Sequence, residues 1–378
     1  MIYLDHNATA PLRPCARKVL EDWLSHDGWG NASSLHASGR KARELVEEAR
    51  EAVAQLVGAK PAQIIFTSGA TEADNIAIHA WAAADTARPV LASTRLEHPA
   101  ILEPLRFLEK SRPVEWLPAS RDGGLNQDAL ARLPSEQTGL VCCMGANNET
   151  GRILSWQEVA SWGRQRGIPV HTDLTQLIGK MPVDLSATDA ASAAFSGHKL
   201  GALSGCGVLW SSRPLSPLLR GGPQERDRRA GTENLAGILS LGAVARWLTE
   251  NASAEQERTN RLGKRLREEI ADLPGVETTL PEALALPSTV HLRLPVGAEA
   301  VLIRMDLQGV CASSGSACSS GAIEPSETLL AMGWTPEEAR RVLRLSLGWN
   351  TTEAEIDRAA EILGQILSEM RDSDAADL

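Results

Sequence analysis

The sequence predicts an α/β fold whose large domain contains a mostly parallel sheet of seven strands, followed by a smaller C-terminal α+β domain. Short apolar segments alternate with helical ones between Ile64 and Trp210, a pattern typical of parallel strands joined by helices. These segments read as continuous apolar runs, as expected of strands that are covered on both faces. With 378 residues, 43% of them hydrophobic, the chain is long enough for one large core and a second unit.

The spacing of apolar residues predicts each element in order. Two helices precede the sheet, at Cys15–Ser25 and at Ser38–Val57, and Gly58 ends the second. The predicted strands are Ile64–Phe66, Val90–Ala92, Val114–Leu117, Leu140–Met144, Val170–Thr172, Ala190–Phe195 and Gly207–Trp210. The helices between them are Thr71–Ala84, Pro99–Glu109, Gln127–Leu133 and Trp156–Arg166. Beyond the sheet follow helix Asn234–Ala271, strand Val290–Leu294, helix Ala298–Leu307, strand Val342–Leu347 and helix Thr352–Met370.

The alternation of strands and helices stops near Asn234, which indicates a second unit after the sheet. We expect a large domain over residues 15–252. The N-terminal strip 1–14 is too short to fold alone, and we assign it together with 253–378 to the small domain.

Charge and composition exclude several classes of function. The net charge of −10 argues against general binding to nucleic acid or to an anionic membrane. The sequence contains no run of 18 apolar residues and does not begin like a signal peptide, so we expect a cytoplasmic protein. Its six cysteines lack paired spacing, which predicts neither a disulfide framework nor a metal site.

Polar residues follow the predicted strands at the edge where sheets of this kind bind ligands. Thr71 lies in a glycine-containing turn that opens a helix, and a helix N-terminus favours an anion, although an ordinary cap also explains it. Asp173 could ligate a metal, act as a base, or pair with a protonated ring nitrogen. His98 precedes a helix and Asn148 lies in an amide-rich turn; taken singly, both also fit structural roles.

Lys199 follows an apolar strand in a small polar turn that includes Ser196 and His198. A lysine in this place can have a lowered pKa, as a Schiff-base nucleophile requires, although a surface lysine in a glycine-rich turn is the alternative. Pyridoxal 5′-phosphate needs an amine, a carboxylate for its ring nitrogen and donors for its phosphate. The order of the Thr71 turn, Asp173 and Lys199 therefore predicts a site for this cofactor.

A set of ordered motifs resembles one known family. The chain is similar to class V aminotransferases of the fold-type-I group that depend on pyridoxal phosphate, and specifically to cysteine desulfurases of the NifS/IscS type. The resemblance covers nearly the whole length. The matching motifs are Tyr3–Thr9, Gly30–His36, Gly69–Glu72, Glu97–His98, Asn147–Gly151, Ser196–Lys199, Gln224–Arg226, Arg229–Asn234, Ser316–Cys318 and Arg344–Gly348.

The resemblance implies a role for each site residue. It makes Lys199 the cofactor lysine and proton carrier, and His98 a ring-stacking residue and acid–base group. The other implied cofactor contacts are Asp173 at the ring nitrogen, Gln176 at the ring hydroxyl, Asn148, and Ala70, Thr71, Ser196 and His198 around the phosphate. Thr232 is expected to reach the phosphate of a neighbouring subunit, which implies a homodimer. Asn148 and Arg344 are expected to bind the substrate carboxylate.

Cys318 is the residue that specifies the expected reaction. It lies within Ala312–Ala322, where every residue is small, a composition that suits a mobile loop and a reactive thiol better than core packing. By resemblance, L-cysteine is converted to L-alanine while its sulfur becomes a persulfide on Cys318. The sulfur then passes to an acceptor protein, a scaffold or a sulfur carrier, in iron–sulfur cluster assembly or in a thiolation pathway.

Three departures from the common family pattern accompany these matches. Ala202–Gly205 replaces a usual Gly-Pro-Lys-Gly, and Leu174 stands where alanine is usual. The stretch Gly221–Asn234 differs from the usual GGGQERGLRSGTEN, with Pro223 and Asp227 each standing where glycine is usual. None removes a catalytic group, but together they indicate a divergent branch.

Other functions of the same fold stay open from sequence. A selenocysteine lyase or a cysteine C–S lyase would release selenide or sulfide without a persulfide. A transaminase for a small amino acid is disfavoured by the loop around Cys318. A sulfur carrier without catalysis is disfavoured by the complete set of Lys199, Asp173, His98 and Gln176.

Overall fold

A computed structural model describes residues 1–26, 29–314 and 325–376, with the side chains of 372–376 left aside. The strands are β1 Ile2–Tyr3, β2 Ile64–Thr67, β3 Val90–Thr94, β4 Val114–Leu117, β5 Thr138–Cys142, β6 Val170–Asp173, β7 Ser192–Ser196, β8 Gly207–Ser211, β9 Glu277–Thr278, β10 Thr289–Arg293, β11 Val310–Cys311 and β12 Val342–Ser346. Seven of them form one sheet in the order β2-β8-β7-β6-β5-β3-β4. Only β8 runs antiparallel to its neighbours, so the predicted mostly parallel sheet is confirmed.

Helices cover both faces of this sheet. They are α1 Pro14–Ser25, α2 Ala37–Leu56, α3 Ala70–Ala84, α4 Pro99–Glu109, α5 Gln127–Ala131, α6 Trp156–Gln165, α7 Leu235–Ala271, α8 Ala298–Leu307, α9 Glu327–Ala331, α10 Pro336–Ala339 and α11 Glu353–Ala376. Side chains that alternate along each strand feed two apolar layers, with Ile64 and Phe66 in one and Ile65 in the other. In the described part of the chain, no helix is long and apolar enough to cross a membrane.

A smaller three-stranded sheet, β12-β10-β9, carries a separate apolar cluster near the C-terminus. Helix α7 reaches both cores: Leu248 packs in the large core and Leu262 in the small one. The N-terminal strip contributes Leu4 to the small core, while the backbone N–H of Ala10 donates to the carbonyl of His198 at 3.0 Å. The strip therefore touches both units, and the division into 15–252 and the remainder stays a prediction.

The predicted helix bounds lie close to the observed ones. Pro99–Glu109 and Ala298–Leu307 are observed as predicted, and α2 begins and ends one residue earlier than the prediction. The strand predicted at Leu140–Met144 is observed as β5, at Thr138–Cys142, so it was placed wrongly by two residues. The reason is that the apolar run continues to Met144 after strand pairing ends at Cys142. The last helix continues to Ala376, beyond the predicted end at Met370.

A left-handed turn precedes α7. Glu225, Arg226 and Asp227 have φ angles of 47°, 60° and 64°, a region that residues other than glycine rarely occupy. Glu225 holds the turn, because its buried carboxylate accepts two hydrogen bonds from Arg50, at 2.7 and 2.8 Å, and one from the N–H of Phe66 at 2.8 Å. Asp227 thus adopts a backbone conformation suited to the glycine usual in the family.

We predict that Asp227→Gly stabilises the fold by about 0.5–1 kcal/mol, because glycine adopts the left-handed region without strain. Urea unfolding followed by circular dichroism measures the change. The matched control is Asp272→Gly, at a φ of −88°, where glycine relieves nothing. Strain at Asp227 would be contradicted if Asp272→Gly stabilised the fold as much as Asp227→Gly, or if Asp227→Gly destabilised it.

Candidate active site

The side chains singled out from the sequence converge on one cavity of about 490 Å³. It lies at the carboxyl ends of the parallel strands, where the turns after β2, β3, β6 and β7 meet. Its lining residues are Ser68, Gly69, Ala70, Thr71, Glu72, His98, Met144, Ala146, Asn148, Asp173, Thr175, Gln176, Ser196, His198, Lys199, Ser204 and Gly205.

One end of the cavity is suited to an anion. Helix α3 begins there at Ala70, and the residue before it provides no side-chain cap, so the first N–H groups of the helix are available to a ligand. Thr71 and Ser196 add hydroxyl groups, and His198 adds an imidazole. Burial and the charge of Lys199 lower the pKa of His198 to about 4, so this ring is neutral at pH 7.

Gly207 brings strand β8 against the turn at this end. A Cβ atom at position 207 would lie 2.4 Å from the carbonyl carbon of Gly69 and 2.9 Å from the nitrogen of Ala70. Both contacts are far shorter than van der Waals separation, and both are to backbone atoms. The anion-binding turn therefore has its present position only because residue 207 lacks a side chain.

An ion pair neutralises the charge of Glu72, the carboxylate beside the anion-binding end of the cavity. Arg229 donates to both oxygens of Glu72, at 2.7 and 3.1 Å, and the N–H of Ser68 donates to Glu72 at 2.7 Å. Burial raises the pKa of Glu72, but these hydrogen bonds outweigh burial and leave that pKa below its usual value. Glu72 is thus an anion whose charge Arg229 neutralises, and a bound phosphate would meet little net repulsion.

Asp173 supplies a carboxylate at the end of β6. It is 6% exposed, and its Oδ1 accepts a hydrogen bond from the N–H of Thr175 at 2.8 Å. No lysine, arginine or histidine among the described residues forms a salt bridge with it, which is rare for a buried carboxylate. This unpaired charge points to a cationic group on a ligand.

Lys199 lies in the turn after β7. Its Nζ donates to the backbone carbonyls of Asn7 and Ala8, each at 2.5 Å. Burial and, to a smaller extent, the charge of Arg344 lower the pKa of Lys199 to about 8, although two nearby carboxylates act in the opposite direction. About half of the amine is neutral at pH 8, which makes it a competent nucleophile near physiological pH.

His98 presents its ring to the cavity from the N-terminus of α4. Its Nδ1 accepts a hydrogen bond from the N–H of Ala100 at 3.1 Å, so the neutral ring carries its proton on Nε2. Burial lowers the pKa of His98; the charge of Asp173 raises it and that of Lys199 lowers it. The ring is therefore a neutral Nε2–H donor at pH 7.

Two residues of the sequence motifs have structural roles instead. Glu97 accepts the N–H of Met144 at 2.6 Å, and burial raises the pKa of Glu97 to about 8. Asn147 accepts the N–H of Thr150 at 2.8 Å. In both motifs the next residue along the chain lines the cavity, so these two side chains hold the turns that present it.

Arg344, on β12 of the small sheet, does not line the cavity itself but contacts one of its lining residues, Asn148. It is 3% exposed and donates to the carbonyl of Asn148 at 2.7 Å and to Oδ1 of Asp5 at 2.5 Å. Its Nε is buried without a partner among the described residues. Arg344 thus links the small sheet to the cavity wall at Asn148, and it keeps one donor unused.

The structure brings most of the predicted site residues together. Nine of them line the cavity: Ala70, Thr71, His98, Asn148, Asp173, Gln176, Ser196, His198 and Lys199. Thr232 lies instead on an exposed loop beside an adjoining hollow that shares Ser68 and Gly205 with the cavity. Cys318 falls outside the described residues.

Sequence reasoning missed the part played by the N-terminal strip. Asn7 contacts Lys199 through its carbonyl, and its side chain accepts a hydrogen bond from Lys180 at 2.7 Å. Asp5 pairs with Arg344. The polar run from Asp5 to Asn7 near a chain end was the available signal, but its partners lie far away in sequence.

The structure also accounts for one departure from the family pattern. The N–H of Leu203 donates to Oγ of the fully buried Ser240 at 2.9 Å, a bond that the usual proline could not make. Ser204, which stands where lysine is usual, lines the cavity. This turn is therefore held by a hydrogen bond that the usual sequence lacks, and it carries one positive charge fewer.

Comparison with known proteins identifies the family. The model of the class V aminotransferase family matches residues 2–359. The chain therefore belongs to this family. It is 38% identical over 376 residues to a cysteine desulfurase of Nostoc sp. strain PCC 7120, covering 98% of this chain and 94% of that protein.

Solved structures agree with this assignment. A NifS-like protein superposes with a TM-score of 0.90 at 29% identity, over 97% of this chain and 99% of that one. A structure titled SspA in complex with cysteine gives a TM-score of 0.79 at 28% identity, over 93% and 100% of the two chains. The resemblance to cysteine desulfurases of the NifS/IscS type and the predicted fold class are both confirmed, and the family implies pyridoxal phosphate as cofactor.

We predict that the reaction of Lys199 with added pyridoxal phosphate, in protein stripped of cofactor, accelerates about tenfold per pH unit below pH 8 and levels off above it. Only the neutral amine reacts, and its fraction follows the lowered pKa. Arg344→Met should move the midpoint to higher pH, because it removes a charge that disfavours the ammonium form. Stopped-flow absorbance measures the rate.

Arg341→Met, at an exposed surface pair with Glu337, is the control and should leave the midpoint unchanged. A midpoint near 10.4, the value of an unperturbed lysine, would contradict a lowered pKa for Lys199.

We further predict that Gly207→Ala weakens binding of pyridoxal phosphate at least tenfold, because the new methyl group displaces the backbone of Gly69 and Ala70. Titration of cofactor-free protein by absorbance gives the dissociation constant. Gly297→Ala is the matched control, since a Cβ there meets nothing within 4 Å. Unchanged affinity in Gly207→Ala would show that this turn does not hold the phosphate.

Proposed function

We propose that the chain binds pyridoxal 5′-phosphate in the described cavity and transfers the sulfur of L-cysteine to Cys318, releasing L-alanine. One observation carries the proposal above all. Lys199 and Asp173 line the same cavity, and neither forms a salt bridge within the part of the chain that the structure describes. The amine and the carboxylate that this cofactor needs are thus both unpaired.

The residues present fit the cofactor in chemistry and in space. Asp173 matches a protonated ring nitrogen, Gln176 a ring hydroxyl, and the start of α3 with Thr71 and Ser196 a phosphate. The volume of about 490 Å³ lies in the range of small-molecule sites. When bound, the cofactor would withdraw electrons from the α-carbon of the substrate.

The chain's own residues would then bind the substrate and move its protons. Arg344 and Asn148 border the place where a substrate carboxylate would lie, and the unused Nε of Arg344 is a charged donor for it. Lys199, with its pKa near 8, would take the proton from the substrate α-carbon. His98, neutral and protonated on Nε2, would exchange a proton with the substrate thiol.

Sulfur transfer balances without an external oxidant or reductant. The thiolate of Cys318 attacks the substrate sulfur, so that an S–S bond forms and the Cβ–S bond breaks. The bonding electron pair stays on Cβ, which takes a proton and becomes the methyl group of alanine. Carbon is reduced, sulfur is oxidised to the persulfide level, and the acceptor later removes that sulfur.

The described residues on either side of Cys318 support its place in this reaction. Before it, the N–H of Arg344 donates to the carbonyl of Ser313 at 2.6 Å. After it, the hydroxyl of Ser326 donates to Glu149, the neighbour of Asn148. A described residue shortly before Cys318 thus contacts Arg344, and one shortly after it contacts the sequence neighbour of Asn148. Arg344 and Asn148 are the two residues proposed to bind the substrate carboxylate.

The wider setting of the reaction belongs to the same proposal. We infer a homodimer in which Thr232, exposed on its loop beside the cavity, reaches a phosphate bound by a second copy. We also infer a cytoplasmic location and an acceptor protein that takes the persulfide sulfur for cluster assembly or thiolation. A selenocysteine lyase or a cysteine C–S lyase is the second candidate, because every group in the cavity would serve it equally.

Replacement of the proposed thiol separates these candidates. In Cys318→Ser, we predict that alanine formation from cysteine falls at least a hundredfold, because the nucleophile that removes the sulfur is lost. Alanine is measured by chromatography and protein-bound persulfide by mass spectrometry of the Cys318 peptide. Cys311→Ser, at the half-buried end of β11, is the matched control and should keep both products.

Sulfide release from cysteine at an undiminished rate in Cys318→Ser would favour the lyase. Absence of cofactor absorbance in the purified protein would contradict both candidates.

A further inference from the structure

Lys180 is a half-buried lysine outside the predicted catalytic set. It lies in the turn after β6, four residues beyond Gln176. No carboxylate of the described residues forms an ion pair with it, although a buried amine usually has one. Its hydrogen-bond partners are instead two neutral amides, at Gln176 and Asn7.

These two contacts set the orientation of the Gln176 amide. Nζ of Lys180 donates to Oε1 of Gln176 at 2.5 Å and to Oδ1 of Asn7 at 2.7 Å. Oε1 of Gln176 thus faces Lys180. Nε2 then lies on the other side, where it donates to the carbonyl of Asn7 at 3.1 Å. One N–H of Nε2 is left for a group in the cavity.

We propose that Lys180 is a positioning residue for cofactor binding: it fixes the amide of Gln176 so that an N–H, and not the carbonyl, faces an oxygen anion on the cofactor ring. The inference rests on the proposed function. Burial and the charges of Lys199 and Arg344 lower the pKa of Lys180 well below its usual value, but the neutral amine keeps two N–H donors. These two donors are enough for the two oxygens that Lys180 contacts.

The same contacts extend to the reactive lysine. The Asn7 carbonyl that accepts from Gln176 also accepts from Nζ of Lys199 at 2.5 Å. Lys180 holds the side chain of that same Asn7. Loss of Lys180 would leave two acceptor oxygens without a donor, and the Gln176 amide could rotate away from its present orientation.

A double-mutant cycle on the full-length protein tests the inference. Lys180→Met and Gln176→Leu should each weaken pyridoxal phosphate binding about tenfold, the effect of one lost hydrogen bond in a buried site. The double variant should be no weaker than either single variant, within twofold, because Lys180 acts through Gln176. All three should show the same shift in the absorbance maximum of the bound cofactor. Lys264→Met, at an exposed pair, is the control and should match wild type.

One further measurement, of thermal stability, keeps the outcome decisive. Melting temperatures of the cofactor-free proteins show whether Lys180→Met is folded; if it is not, Lys180→Leu, which also lacks a donor, replaces it in the same cycle. Affinity losses that multiply in the double variant, or a Lys180→Met spectrum identical to that of wild type, would overturn the positioning role. Wild-type protein that fails to bind pyridoxal phosphate would contradict the proposed function itself, and not this inference alone.

Discussion

Two backbone carbonyls of the N-terminal strip, those of Asn7 and Ala8, hold the amine of Lys199, and the rest of the site depends on this contact. The backbone N–H of Asn7 donates to Ser346 and its side chain donates to Thr289, both in the small sheet. The strip thus joins a lysine of the large sheet to the small sheet. Because these two acceptors are neutral carbonyl oxygens and not carboxylates, they stabilise the charged form of the amine less than a salt bridge would.

The charged side chains around Lys199 also contribute to its pKa. Arg344 on one side lowers the pKa of Lys199, and the carboxylates of Asp5 and Asp173 raise it less than burial and Arg344 lower it. Asp5 is itself paired with Arg344, whereas Asp173 has no such partner within the described ranges. The cavity therefore keeps one amine and one carboxylate apart and unpaired, at a cost that a ligand bearing the complementary groups can offset.

Local sequence signals predicted the sheet and its strand ends well, because strands and helices express short-range periodicity. Asp173 and Lys199 were found for that reason: Asp173 is the last residue of β6, and Lys199 lies three residues after the end of β7. The contact of Lys199 with Asn7 spans 192 residues, and that of Arg344 with Asp5 spans 339, so no local pattern reveals either. The left-handed turn at Glu225 was missed likewise, since Arg50, 175 residues away, stabilises it.

The departures from the family pattern leave the reactive groups of the cavity intact, and Ser204 lies in the cavity wall itself. Leu203 gains a hydrogen bond to Ser240, and Ser204 takes a charge away from the cavity wall. With no lysine at position 204, a phosphate here would depend on the start of α3, on hydroxyl groups, and on Arg229 cancelling the charge of Glu72. Because Lys199 and Asp173 are fixed by buried contacts, the surrounding turns can change in sequence without altering the chemistry.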